Sequence, residues 1–375
     1  SGEAMLPTKE DPTVDLMRLV EGEVSAQQPE ILIHYIRGGN LKTVSTSVEL
    51  VPLEQGLPLA IERYRQIASR AAAYLAEHQA DDGSFAPAAD DQDARLIVSS
   101  LCGLAMHEVG DHPDAVQQCV AYVTSQIDDP GISDPLVAAY VLMFLVEVDP
   151  PPAHTERLAR CLQVIRESQT ESGAWLPQAH DDDEPACDPQ GTFATNQVLL
   201  ALGIAERDGF VGPNDVIEKA VAYLKTQARL RIAADLDRRT KAGLSAGSAA
   251  AMVVLNMDRA DPLVTRLSKE AFRLAEDIPQ SRMLAVPHGL AAALISRQSG
   301  VATWIDHHRH AKLMLSQLQR ADGSFESVPI QQPQPLEWEQ RVAGDCWRTA
   351  HYALIAQLQE PGLAAFSAEQ SHPML

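Results

Sequence analysis

The chain has 375 residues, a formal net charge of −21 and 45% apolar residues. That apolar share excludes a disordered chain, and the acidity argues against nucleic acid and anionic membrane surfaces as partners, solubility being its plain use. No apolar run reaches the roughly 18 residues that a membrane span needs, so no transmembrane segment is expected.

Taken in chain order, residues 1–56 stand apart. Residues 12–22 have the pattern of a short amphipathic helix. Residues 31–37 and 41–51, joined through Gly38, Gly39 and Asn40, read as a β-hairpin, with alternation in Val44, Ser45, Thr46, Ser47 and Val48. Such an extension either packs on the body of the protein or forms an arm that pairs with another copy. From residue 57 the pattern is helical. Segments 57–79, 113–126, 154–169, 214–227, 261–276 and 304–319 are amphipathic, with charge on one face as for solvent-facing helices. Between them, 96–106, 135–148, 192–204, 244–255, 289–295 and 347–355 are apolar and small nearly all round, which predicts helices buried on all sides. Ser133-Asp134-Pro135 and Cys187-Asp188-Pro189 supply caps followed by proline for two of these inner helices.

A seven-residue phrase punctuates the pattern. It runs from Gln79 through Gly83 to Phe85, from Gln169 through Gly173 to Trp175, and from Gln319 through Gly323 to Phe325. Weaker copies fall at Gln126 and Gln227, with Ile278-Pro279 ending a further helical run, so that the period is roughly 45 residues. Each copy ends a helical stretch. The glycine is expected to close the helix in the left-handed conformation, and the neighbouring Asp or Ser suits a turn. The aromatic folds back over apolar surface, and the Gln has the reach to bond backbone groups of the next repeat. Six outer helices around six inner ones make an all-α (α/α)6 toroid over residues 57–360, followed by a tail at 361–375. The five cysteines are widely spread and read as free thiols of a reducing, cytoplasmic compartment rather than as a disulfide framework.

This phrase, at this spacing between alternating outer and inner helices, resembles the repeat of squalene–hopene cyclases and protein prenyltransferase beta subunits. These belong to the terpenoid cyclase/prenyltransferase α/α toroid superfamily. The closing stretch is similar to the last repeat of bacterial squalene-cyclase-like proteins: Ala321 to Phe325, then Gly344-Asp345-Cys346-Trp347-Arg348-Thr349-Ala350. The resemblance implies a central funnel opening where the inner helices begin, at the loops after each phrase. It implies an isoprenoid or other hydrophobic, prenyl-type small molecule as ligand.

Several constellations lie in those loops. Asp181-Asp182-Asp183-Glu184, beside His180 and Asp188, resembles the Asp-x-Asp-Asp motif whose acid protonates an alkene or epoxide in class II cyclases, with Glu in the last place. Such an acid needs a pKa raised by burial and neighbouring carboxylates. Asp90, Asp91, Gln92 and Asp93 open the first inner helix in a different order. Asp181, Asp183 and Glu184, with Asp91 and Asp93 across the opening, are the candidate acids; a solvated acidic loop near helix N-termini is the plainer reading. Arg229, Arg231, Arg238, Arg239 and Lys241 cluster before the fourth inner helix, where such cations suit a diphosphate, Mg2+ being implied only alongside one. Asp235 and Asp237 are interleaved with them, as in a mixed-charge surface loop. Arg348, from the last inner helix, and His180 complete the candidate ligand-binding set.

No metal or other cofactor is expected. Prenyltransferase zinc sites space their Asp and Cys by one, whereas Asp345 and Cys346 are adjacent, and His351 has the wrong offset to close a site with Cys346. Asp345 suits a helix N-cap. His307, His308 and His310 read as an exposed histidine cluster. No nucleophile elbow, phosphate loop or dinucleotide fingerprint appears in context. An aromatic content of 5% is low for a pocket that must surround carbocations with π faces. Two classes of function stay open. One is an enzyme of the terpenoid class. The other is a non-catalytic toroid that binds a protein or small-molecule partner through its loop face. A carbohydrate-active α/α barrel with paired carboxylates from 86–93 and 170–190 is a third.

Overall fold

The computed structural model describes residues 30–37 and 40–47 as backbone. It also describes 61–87, 91–129, 131–148, 153–175, 187–207, 209, 214–274, 278, 284–299, 303, 307, 315, 318–325, 341–342 and 344–358. The chain divides into two units, Ser1–Gly56 and Leu57–Leu375. In the first, β1 (Glu30–Arg37) and β2 (Asn40–Ser47) pair antiparallel, with Arg37 opposite Asn40 and Glu30 opposite Ser47. That register leaves two residues for the connection, as a tight hairpin turn requires. The expected helix at 12–22 and residues 48–51 lie outside the described residues.

In the second unit, the described helices are α1 (Ile61–Glu77), α2 (Gln92–Val109), α3 (Pro113–Asp128), α4 (Pro135–Val148), α5 (Thr155–Glu167) and α6 (Pro189–Arg207). They continue as α7 (Asn214–Ala233), α8 (Arg238–Val254), α9 (Pro262–Phe272), α10 (Ala285–Gln298) and α11 (Asp345–Gln357). The inner helices touch in a circle: α2 packs on α4, α4 on α6, α6 on α8, α8 on α10, α10 on α11 and α11 back on α2. The outer helix of each unit rests on an inner helix of the unit before it: α3 on α2, α5 on α4, α7 on α6 and α9 on α8, while α1 lies against α11. The last of these contacts closes the ring. The fold is an (α/α)6 toroid. Its sixth outer segment falls mostly outside the described residues, with Thr303, His307, Leu315 and Leu318 helical where described.

The inner helices are what an all-round apolar sequence predicts. Every residue of α4 from Pro135 to Val146 is buried. An outer helix such as α5 instead buries one stripe, Leu158, Cys161 and Ile165, at the i, i+3, i+7 spacing of an amphipathic face.

The phrase proves to be a rivet between units. The amide of Gln79 donates to Gly83 O at 2.9 Å and to Ala115 O of α3 at 2.9 Å. Gln169 does the same to Gly173 O (3.1 Å) and Val216 O of α7 (2.8 Å). Gln319 reaches Gly323 O (3.1 Å) and Ile67 O of α1 (2.8 Å), pinning the last unit to the first. Arg70 reinforces that closure by donating to Arg320 O and Ala321 O at 2.8 and 3.0 Å. The aromatic is fully buried in all three copies. Its backbone N–H donates to a hydroxyl of the same unit's inner helix: Phe85 to Ser99, Trp175 to Thr195 and Phe325 to Thr349.

The glycine acts differently from the expectation. Helix α1 ends at Glu77 and α5 at Glu167, several residues before Gly83 and Gly173. The glycine therefore closes the turn after the Gln rather than the helix. Its φ is +86°, +90° and +96° in the three copies, and a β-carbon there would overlap the carbonyl oxygen of Gln118, Lys219 or Arg70 in the abutting outer helix. Only glycine meets both demands.

Candidate functional site

The N-termini of the inner helices share one end of the ring, and a carboxylate stands at most of them. Asp91 is the N-cap of α2, extended at φ −140°, and accepts from Ala94 N at 2.9 Å. Asp134 accepts from Leu136 N (2.7 Å) and Val137 N (3.1 Å) of α4. Asp188 accepts from Gly191 N (2.8 Å) of α6 and from the Tyr223 hydroxyl (3.3 Å). Asp237 accepts from Arg239 N and Thr240 N of α8 and from the Thr240 hydroxyl. These four satisfy amides that a helix start leaves open. Asp345 is the exception to the capping expectation. Gly344 is the N-cap of α11, while Asp345 lies within the first turn and pairs with Arg348 and, at 3.6 Å, with Arg320.

Asp93 stands apart from these. It sits in the first turn of α2, half-buried, and makes no side-chain hydrogen bond among the described residues. Burial pushes its carboxyl above the ordinary range and the Asp91 charge adds to this, against the pull of Arg341. Asp91 goes the other way. Burial pushes it up, but the amide of Ala94 and the guanidinium of Arg341, which pairs with it, hold it below the ordinary range. Asp134 is raised, chiefly by burial; its two capping amides and Arg341 pull against this, while Asp93 adds to it. Arg341 thus pairs with Asp91, and its charge also reaches Asp93 and Asp134. Two carboxyls are biased toward the protonated form and one toward the ionised form.

Of the sequence-predicted residues, Asp91 and Asp93 are brought together here. Arg348 is spent on Asp345 of its own helix. His180, Asp181, Asp183 and Glu184 lie outside the described residues, as does Asp90. The basic cluster is not a loop. Helix α7 continues through Ala233, so Arg229 and Arg231 are helical, and Arg231 is 2% exposed. Arg238, Arg239 and Lys241 occupy the first turn of α8, where Asp237 already holds the amides of Arg239 and Thr240. Among the described residues no cluster of His, Cys, Asp and Glu could hold a metal ion, and no helix is long and apolar enough to cross a membrane. Asp134 and Arg341 are the functional candidates that sequence reasoning missed. Asp134 was legible only as a cap, and Arg341 meets Asp91 across 250 residues of chain.

Below the mouth a cavity lies on the ring axis, lined by residues of all six inner helices and largely by aliphatic side chains such as Leu101, Leu104, Met143, Leu200 and Leu294. It leaves about 30 Å³ of space for the centres of water-sized occupants, room for roughly two waters.

No known family's profile matches the chain, and no curated protein matches it. A solved structure does. It is the GH76A alpha-1,6-mannanase from Salegentibacter sp. HEL1_6, 8% identical, with a TM-score of 0.52, covering 79% of this chain and 98% of that one. The likeness is one of fold. It carries the ring, and nothing of the cyclase or prenyltransferase activity that the repeat phrase implies.

Proposed function

We propose that the chain is an enzyme that works by carboxylic-acid catalysis at the mouth of the ring, with Asp93 as proton donor and a glycoside as substrate class. The observation that carries this reading is the contrast between Asp91 and Asp93. Two carboxyls on one helix turn have environments that push their pKa values apart, the usual arrangement for dividing acid from base. Asp93 is also a half-buried mouth carboxyl uncommitted to a cap or an ion pair among the described residues. Asp91, held in the ionised form, is the second carboxyl that such a reaction pairs with the acid. The mannanase sharing the fold supports the substrate class. So does the polar mouth set over a cavity of about 30 Å³, far too small for a prenyl chain as it stands.

The test is hydrolysis of a panel of α-linked manno-oligosaccharides and aryl glycosides by the wild type and by Asp93→Asn. Loss of the acid should lower kcat by about 10²–10⁴-fold. Because the folded pKa is raised, the ionised form of Asp93 is a burden on stability above that pKa. The variant should therefore match or exceed the wild type in stability at pH 7. The wild-type rate should fall as pH rises through the raised pKa of Asp93, since the acid must be protonated. An unchanged rate in Asp93→Asn would remove the assignment.

A second reading rests on the apolar lining of the axial cavity, which favours a hydrophobic ligand of isoprenoid type with the acid at 181–184 or at Asp93. It requires the inner helices to part. A saturable thermal shift with farnesyl diphosphate, absent with inorganic diphosphate and with detergent, would select it over the glycoside. Failure of both ligand classes would leave the partner-binding toroid.

A further inference from the structure

We propose that the axial cavity is itself a binding site, separate from the mouth, for a small neutral hydroxyl compound held between Tyr140 of α4 and Asn196 of α6. Both residues line the cavity, at 3% and 2% exposure. The Tyr140 hydroxyl and both the nitrogen and the oxygen of the Asn196 amide have no hydrogen-bond partner. An apolar pair of similar shape would pack this place without penalty, whereas a buried amide unpaired at both ends is destabilising. An occupant that donates and accepts at one atom answers all three groups. A hydroxyl does so, accepting from both the Asn196 Nδ2 and the Tyr140 O–H and donating to the Asn196 Oδ1.

The surroundings restrict the ligand further. No Asp, Glu, Lys or Arg lines the cavity, so a charged ligand would be buried without a counter-ion. His351 also lines it, and its Nδ1 donates to Trp347 O at 2.9 Å, leaving Nε2 without a proton. Burial draws that imidazole down to about 4, so it is neutral at physiological pH. The aliphatic side chains around the polar group suit a short alkyl body. Space for roughly two waters limits the ligand to about two or three non-hydrogen atoms, the size of ethanol at most. Gly247 of α8 makes the arrangement feasible, because a β-carbon there would stand 2.7 Å from the Asn196 Nδ2.

Met143 lines the same cavity and gives the readout. The protein is labelled with 13C at the methionine methyls and titrated with ethanol, and separately with xenon as an apolar probe. The expected result is a saturable shift of the Met143 methyl with ethanol in the millimolar range. It should weaken about tenfold in Asn196→Leu and in Tyr140→Phe, with xenon binding retained. Two substitutions on different helices guard against one of them failing to fold. Absence of a saturable ethanol shift would overturn the site, as would ethanol affinity unchanged in both variants. The mouth variant Asp93→Asn should leave this titration unaltered, which separates its outcome from that of the proposed acid chemistry.

Discussion

The joints of the ring fall into two kinds that share one residue type. At Gln79, Gln169 and Gln319 the side-chain amide donates twice, to its own turn and to the next outer helix. At Gln126 and Gln227 the side chain turns the other way and accepts. Gln126 Oε1 takes a bond from Gln92 Nε2, on the first residue of α2, and Gln227 Oε1 takes one from Asp188 N, at the start of α6. The first kind rivets unit to unit. The second steadies the mouth, where the inner helices begin and the candidate acids sit. A weak copy of a structural repeat is thus not merely a decayed one. Freed from riveting, its glutamine supports the end of the ring where chemistry is proposed.

The largest test of this contrast uses glycine. Gly83 and Gly131 have nearly the same left-handed backbone, φ +86° and +93°. Around Gly131 the nearest atom to a β-carbon would be Ile127 O at 3.9 Å, an ordinary contact, whereas at Gly83 the β-carbon would overlap the backbone of α3 at Gln118. Gly131→Ala should therefore cost about 1–2 kcal/mol, the left-handed penalty alone. Gly83→Ala adds a forced displacement of α3 and should cost about 4 kcal/mol or more. Urea midpoints at constant m-value measure both, and equal losses would show that the rivet has no special tightness.

Next in size are the glutamines themselves. Gln169→Leu removes two donors and strands the carbonyls of Gly173 and Val216, an expected loss of about 2–3 kcal/mol. Gln126→Leu breaks a bond between partly exposed side chains and should stay within about 0.5 kcal/mol. If the proposal for the mouth holds, Gln227→Leu should disturb activity more than its stability cost suggests, because it frees the backbone of the cap residue Asp188.

The ring was legible because two independent patterns agree: a phrase recurring every forty-odd residues and inner segments apolar on all sides. Where the reading slipped, a longer-range or steric cause took over. Helix α7 runs beyond Gln227 because Ala228, Arg229, Leu230 and Arg231 are good helix formers with no glycine to stop them. The role of the phrase glycine depends on the backbone of another unit, which local turn chemistry does not reveal. At the mouth, Asp91 and Asp93 were visible as a charge cluster. Their opposite pKa biases arise from burial and from Arg341, brought from the far end of the chain.

The smallest effect separates the three rivets from one another. In the first and last, Asp82 and Asp322 accept from the backbone N–H of Ser84 and Ser324 at 2.9 Å and from their hydroxyls at 2.6 and 2.7 Å. Those bonds hold both carboxyls below the ordinary range. The middle rivet has Ser172 at this place and uses the Thr170 hydroxyl to accept from Ala174 N at 3.1 Å. A depressed folded pKa gives stabilisation that is present above the unfolded value and lost as pH falls through the folded one. Acid should therefore loosen the turns at Ser84 and Ser324, beginning near pH 4, the ordinary range of an unfolded aspartate, while the turn at Ala174 is held by hydroxyls rather than by a carboxylate. Native-state hydrogen exchange, corrected for the intrinsic pH dependence, should show the Ser84 and Ser324 amides losing protection before Ala174 does. Loss of all three together would mean that acid acts on the ring as a whole, and that the rivets are equivalent despite their different chemistry.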